Sequence, residues 1–198
     1  MKKMKKLVLV LSVILQSFIL TAQIPPQGLL VNDLAPNFTG KDQTGKEITL
    51  KTELKKGSVV LVFYRGQWCP FCNKQLKQLE DSLSFIKAKG ATVLTITPEK
   101  AENIEKTISK TKASFSIIHD EGLDIMKKYD VAFKVDDKTI ESYKKYGIDF
   151  TEANGVSNGA NLPVPAVYII NKEGKIVYKY FDANYRKRST VKEILSYL

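Results

Sequence analysis

The sequence predicts an α/β sandwich: a mixed central sheet with helices on both faces and an N-terminal β-hairpin. Three observations carry this expectation. Residues 58–64 and 91–97 are continuous apolar, β-branched runs, which suit strands buried on both faces. The segment between them repeats apolar residues at helical spacing, so a helix joins two parallel strands. Residues 166–170, the turn Asn171-Lys172-Glu173-Gly174 and residues 175–180 read as an antiparallel hairpin added to that sheet.

The elements follow in order. Residues 38–50 form the first hairpin, with Asp42-Gln43-Thr44-Gly45 as its turn. After the strand at 58–64, Leu76, Leu79, Leu83, Phe85 and Ile86 mark one apolar face of a helix running from Pro70 to about residue 89, and Gly90 ends it. The strand at 91–97 leads into a second helix, opened by Thr97 as cap and Pro98 in the first turn. A third strand covers 113–119 and a short helix 122–129. Residues 130–163 read as irregular, with a helix over 138–146 and a polar loop over 154–159, and the segment 150–163 is either a rim beside Pro165 that selects partners or a plain surface loop. Thr190 and Glu193 make a capping box for a last helix.

The N-terminus predicts export. Residues 1–6 carry four lysines and no acid, residues 7–20 are almost wholly apolar, and Thr21-Ala22-Gln23 is a small-residue break. This is the anatomy of a secretory signal peptide cut after Ala22. The apolar run of 14 residues is shorter than the roughly 20 that span a membrane as a helix. Leu20 is larger than the residue a cleavage site prefers, so an uncleaved anchor is the alternative. Residues 23–34, with Pro25, Pro26 and Gly28, read as a loose leader, and the folded domain as 35–198. The mature form is then periplasmic or otherwise extracytoplasmic, with no membrane segment.

Loss of the four lysines takes the formal charge from +10 to about +6. The remaining lysines are scattered without interleaved aromatics, which argues for a solvated basic surface and against a nucleic-acid partner.

The chain has two cysteines, Cys69 and Cys72, in Trp68-Cys69-Pro70-Phe71-Cys72. A bridge across two residues removes little chain entropy, so it is a poor staple and a better reagent. Cys69 falls where a strand passes into a helix, and the free amides and partial charge of a helix N-terminus favour a thiolate there. Cys72 lies one turn on, within reach of Cys69. On this reading Cys69 is the nucleophile and Cys72 resolves the mixed disulfide. Pro70 suits the first helical turn, and Trp68 shields the sulfur. A zinc site lacks ligands, because His119 is the only histidine. No cofactor or metal is implied. A copper-binding module built from Cys69, Cys72 and His119 is the alternative of a different class.

Residues 60–72, Val-Leu-Val-Phe-Tyr-Arg-Gly-Gln-Trp-Cys-Pro-Phe-Cys, together with residues 162–174, Leu-Pro-Val-Pro-Ala-Val-Tyr-Ile-Ile-Asn-Lys-Glu-Gly, resemble the peroxiredoxin-like branch of the alkyl hydroperoxide reductase C / thiol-specific antioxidant (AhpC/TSA) family. The resemblance covers roughly residues 30–198 and implies a thioredoxin-like sandwich. The family's peroxidases carry Pro-x-x-x-Thr-x-x-Cys. Here Arg65 stands for the proline, Cys69 for the threonine and Cys72 for the cysteine. Pro165 takes the place of their arginine before the late strand, and Val164-Pro165 resembles the cis-proline pair that faces the cysteines of a thioredoxin. The buried aspartate of thioredoxins is replaced by Phe63, which leaves the base unassigned; Glu80 is a candidate.

Other residues have two readings each. Arg65 either stabilises a thiolate or is a surface arginine at a strand end. The resemblance brings an arginine of Arg186 and Arg188 to the site; a basic surface loop is the simpler reading. The function expected is an exported thiol–disulfide oxidoreductase, with Val164, Pro165 and Arg65 shaping the groove for thiol or disulfide clients and a separate redox partner recycling the pair. The second reading is a peroxidase acting on small hydroperoxides.

Overall fold

The computed structural model describes residues 25–198, so the expected signal peptide at 1–22 lies outside the described residues. The central sheet has five strands in the order β5-β4-β3-β8-β9. Its middle strand β3 (Ser58–Phe63) is the chain's most apolar run, and Val59 to Phe63 are fully buried. β4 (Ala91–Thr97) runs parallel to β3 and to β5 (Ser116–His119). β8 (Ala166–Ile170) is antiparallel to β3, pairing Ala166 with Phe63, and β9 (Ile176–Phe181) closes the antiparallel edge.

Alternation along β3 sorts the core into two layers. Val59, Leu61 and Phe63 point to one face, with Tyr168 and Ile170 from β8, α1 (Leu50–Leu54), α5 (Asp124–Lys128) and Tyr129. Val60, Val62 and Tyr64 point to the other, under α2 (Pro70–Asp81), α3 (Leu83–Ala88), α4 (Ala101–Thr111) and α8 (Val191–Ser196). Each such aliphatic side chain contributes about 1.5–3 kcal/mol on burial. The thioredoxin-like sandwich with helices on both faces is therefore the observed architecture.

The N-terminal hairpin, β1 (Thr39–Lys41) and β2 (Glu47–Thr49), is a separate two-stranded sheet. The Asp42 carboxylate accepts from the Thr44 and Lys46 amides and fixes the turn. The capping box of α8 is present, with Glu193 N–H donating to Thr190 Oγ1 and Thr190 N–H donating back to the Glu193 carboxylate.

Several elements differ from expectation. The leader is not loose from Gln27 onward: Gly28 N–H donates to Asp130 O, Asn32 N–H to Ile176 O and Ala35 N–H to Gly174 O, pinning it along the β9 edge. The long first helix breaks at Ser82 (φ −108°, ψ 7°), whose N–H reaches both Gln78 O and Leu79 O. The break turns Phe85 outward, 64% exposed, while Leu83 and Ile86 stay on the sheet. The second helix starts at Ala101 instead of Pro98, because Thr97 remains in β4 and its hydroxyl accepts from Glu99 N–H. Within 130–163, β6 (Ala132–Lys134) pairs with β7 (Asn161–Pro163). α6 (Asp137–Lys144), capped by Asp136, and α7 (Phe150–Asn154), capped by Asp149, lie between them.

Candidate active site

The site forms where β3 ends. Tyr64 N–H still bonds Ile96 O, continuing the ladder one residue, and then the chain turns through Arg65-Gly66-Gln67-Trp68. A Cβ on Gly66 would lie 2.5 Å from Trp68 Nε1 and 2.6 Å from Glu99 Oε1, so only glycine lets the loop pass. Cys69 is the N-cap of α2, in extended geometry (φ −91°, ψ 108°), and its sulfur accepts from Cys72 N–H at 3.4 Å. Pro70 occupies the first turn, where no amide is needed. Both thiols are free and buried, Cys69 at 1% exposure and Cys72 at 0%.

Charge is distributed differently from expectation. Arg188, on the loop before α8, donates from Nη2 to Cys72 Sγ at 3.3 Å. Burial opposes ionisation of Cys72, but the hydrogen bond with Cys69 and the Arg188 guanidinium outweigh it and bring the thiol down to about 6. The hydrogen bond with Cys72 and burial hold the Cys69 thiol above its ordinary value, against a lesser pull from Arg65. The Arg188 contact therefore favours ionisation of the inner sulfur, Cys72, over the N-cap sulfur of Cys69. The helix terminus alone favours Cys69; the guanidinium on the inner sulfur reverses the order.

Arg65 is 5% exposed and neither of the surface kind nor paired with an acid. Its guanidinium lies 4.8 Å from the Trp68 ring centre and 4.4 Å from that of Tyr185, and donates to Tyr143 Oη at 2.9 Å. Trp68 also packs edge-on against Tyr143, forming a wall beside the motif.

The buried acid that the sequence left unassigned is Glu99, after β4. It is fully buried, and its Oε2 accepts from Gln67 N–H at 2.7 Å. Its Oε1 has no protein partner, nor has the nearby Trp68 Nε1. Burial and, next to it among the opposing effects, the Cys72 charge push the Glu99 carboxyl up to about 8, against the Gln67 amide and the Lys110 and Lys106 charges. Glu80, the candidate base, instead accepts from Ser114 N–H and Oγ.

Val164 and Pro165 line a groove of about 570 Å³ with Arg65, Tyr143 and Tyr185. The expected cis bond is not present: no peptide among the described residues is cis. Val164 N–H reaches Val131 O and Pro165 O accepts from Asp182 N–H, so the trans chain is held by bonds on both sides. Arg188 joins the site, as the family resemblance implied, whereas Arg186 stacks on Tyr185. His119 stands at the end of β5 with Nε2 3.5 Å from Asn158 Nδ2, and the described residues hold no group of three His, Cys, Asp or Glu side chains fit for a metal.

Fold and motif together define a thioredoxin-fold domain with a Cys-x-x-Cys pair at a helix N-terminus. The AhpC/TSA family model matches residues 31–179, and the chain belongs to the AhpC/TSA family. It is 35% identical over 146 residues to peroxiredoxin Q, chloroplastic, of Oryza sativa subsp. japonica, a match spanning 74% of this chain and 56% of the relative. It is 27% identical over 144 residues to the thiol–disulfide oxidoreductase ResA of Bacillus cereus, spanning 72% of this chain and 65% of that one. The chain therefore spans little more than half to two thirds of these relatives. Among solved structures, peroxidoxin BcpB of Mycobacterium tuberculosis superposes with a TM-score of 0.65 at 16% identity, covering 84% of this chain and 94% of that one. The thioredoxin domain of a thiol–disulfide oxidoreductase from Bacteroides vulgatus superposes with a TM-score of 0.54 at 21% identity, covering 80% and 93%.

Proposed function

We propose that this protein is an extracytoplasmic thiol–disulfide oxidoreductase whose Cys69 and Cys72 cycle between dithiol and disulfide. The observation that carries the proposal is the pair itself: one sulfur caps α2, the second sits one turn inside, and Arg188 Nη2 lies 3.3 Å from the second, where it favours a thiolate. The Cys72 thiolate attacks one sulfur of a substrate disulfide and expels the other as a thiolate. Cys69 then loses its proton and attacks Cys72 Sγ, releasing the second substrate thiol and leaving the Cys69–Cys72 disulfide. A separate dithiol partner reduces it again. The groove beside Val164, Pro165 and Arg65 is where an extended client segment would lie. Export rests on the basic, apolar and small-residue pattern of residues 1–22, and N-terminal sequencing of the secreted protein tests it.

A second reading has its own observation. Cys72 occupies the cysteine position of the peroxidase signature, is fully buried, and has Arg188 on its sulfur. A small hydroperoxide also fits that setting. The thiolate would attack the peroxide oxygen, break the O–O bond to give sulfenic acid and an alcohol, and Cys69 would displace water to close the same disulfide. Insulin reduction and hydroperoxide consumption, measured side by side on the reduced protein, separate the two. The first reading expects insulin turnover lost in Cys69→Ser and Cys72→Ser. Saturable peroxide consumption with no insulin turnover overturns it in favour of the second.

A further inference from the structure

We infer that the cavity beside Arg188 binds a small organic anion, one carrying a carboxylate or a phosphate, and that through this arginine the bound anion opposes the Cys72 thiolate. The inference goes beyond the dithiol reading: it assigns a binding site, and it holds whether the substrate is a disulfide or a peroxide.

The cavity has a volume of about 500 Å³, within the range of small-molecule sites. It shares no lining residue with the groove beside Pro165, and neither cysteine lines it. One wall is the side of α2 that carries Phe71, Lys74 and Gln75, residues three and four apart on one helix face. The other is the loop before α8, with Arg186 and Arg188, followed by Val191. Lys74, Arg186 and Arg188 are all cations, and among the described residues none of them is in an ion pair. The acid on the rim, Asp81, is held by Lys77. Glu193, the acid in the first turn of α8, is taken up by its own capping box.

Donors in these walls are fixed and unused. Arg188 Nη1 donates to Tyr185 O and Lys187 O, and Nη2 donates to Cys72 Sγ at 3.3 Å, so the guanidinium is held in place. Its Nε is buried with no protein partner. Gln75 is 4% exposed, and its Nε2 is likewise buried without one. A buried N–H that lacks an acceptor is costly and uncommon in native folds. Here such donors stand beside two further cations. A group that only accepts hydrogen bonds completes the set, and carboxylate and phosphate are such groups. Phe71 and Val191 give the remainder of the ligand an apolar surface.

The anion and the Cys72 sulfur then share one guanidinium. A second negative charge at Arg188 disfavours the thiolate, and by reciprocity the thiolate disfavours the anion. The disulfide carries no charge. Oxidised protein, and reduced protein with Cys72 protonated, therefore bind the anion more tightly than the thiolate form does. No covalent step is involved: the anion shifts the proton on Cys72 and so slows the reduced pair.

The test uses the full chain, with inorganic phosphate and citrate as separate probes and ionic strength held constant with chloride. Calorimetry at about pH 8, where Cys72 of the reduced protein is a thiolate, should show saturable binding of a probe to the oxidised protein. Binding to the reduced protein should be weaker by about fivefold or more. Phosphate alone, citrate alone or both together would each support the site and name its ligand chemistry. At saturation the anion should raise the Cys72 midpoint by the same ratio, about 0.7 unit or more. Gln75→Leu, a neutral exchange, should weaken binding and keep the midpoint measured in chloride. Arg186→Gln, at an exposed residue, should weaken binding with little risk to folding. No saturable binding of either probe to the oxidised wild type overturns the inference, whatever the variants do. Equal binding to both redox states with an unmoved midpoint overturns it as well. A chain that forms no Cys69–Cys72 disulfide overturns the dithiol reading; binding to the reduced chain above and below the Cys72 midpoint then still decides this inference by itself.

Discussion

The two faces of the central sheet are alike in apolar packing and opposite in their treatment of polar groups. On the Tyr129 face every large hydroxyl has work to do: Tyr129 Oη donates to Pro36 O at 3.0 Å, Tyr168 Oη accepts from Leu29 N–H at 3.1 Å, and the Asp120 carboxylate takes the Ile125 and Met126 amides. On the α2 face Gln75 Nε2, Trp68 Nε1 and Glu99 Oε1 are buried with no protein partner. Each such orphan costs about 1–3 kcal/mol. One layer is built for stability, and the other accepts a standing cost beneath the sulfurs. A fold under a small stability margin keeps that cost only where chemistry needs polar groups in a dry place.

The sharpest way to break the comparison is a cavity in the quiet layer. Leu61→Ala, on the Tyr129 face, should lose about 2–5 kcal/mol in urea unfolding and leave the Cys72 thiol titration unmoved. A shift in that titration would mean that the two layers are not independent. Removing the guanidinium comes next. Arg188→Ala should raise the Cys72 midpoint by about one unit, which slows reaction with a disulfide reagent at about pH 6 by roughly fivefold and at neutral pH by roughly twofold. An unchanged midpoint would remove Arg188 from the site.

A pH experiment separates the layers by sign. Glu99 is raised in the folded state from 4.5 to about 8, so its contribution to stability is whole below 4.5 and is lost as pH rises through about 8. Glu99→Gln should abolish that alkaline loss. Cys72 is lowered from 9.0 to about 6, so in reduced protein its contribution is whole above 9.0 and is lost as pH falls through about 6, and oxidised protein should lack this dependence. The smallest effects make the neatest contrast. Tyr129→Phe should cost about 0.5–1.5 kcal/mol, whereas Tyr64→Phe, whose hydroxyl has only the Thr107 and Thr97 hydroxyls at long range, should cost less. Equal losses at the two positions would erase the distinction between the faces.

The quiet layer was the more legible one in sequence. β3, β4 and the β8–β9 hairpin stand out because continuous apolar runs and an Asn-Lys-Glu-Gly turn leave few other conformations. Cys69 and Cys72 were legible because their spacing is itself the chemistry. The short strands β6 and β7 were not, since three residues hold no period to read. Glu99 was missed because an acid just after Thr97-Pro98 looks like a helix-first-turn acid on a surface; only the late start of α4 at Ala101 turns it inward. Arg188 is 116 residues from Cys72, so nothing local in either segment announces their contact. Which sulfur ionises more readily depends on that contact, which a helix-terminus argument from the motif alone does not include.

The central claim is that Cys72, the inner sulfur, is the thiolate of the reduced protein. Selective 13Cβ labelling of the cysteines, followed by NMR against pH in the reduced wild type, tests it directly. Cys72 should titrate with a midpoint near 6 while Cys69 stays protonated well above neutrality. Titration of Cys69 first, with Cys72 still a thiol at neutral pH, would contradict the account.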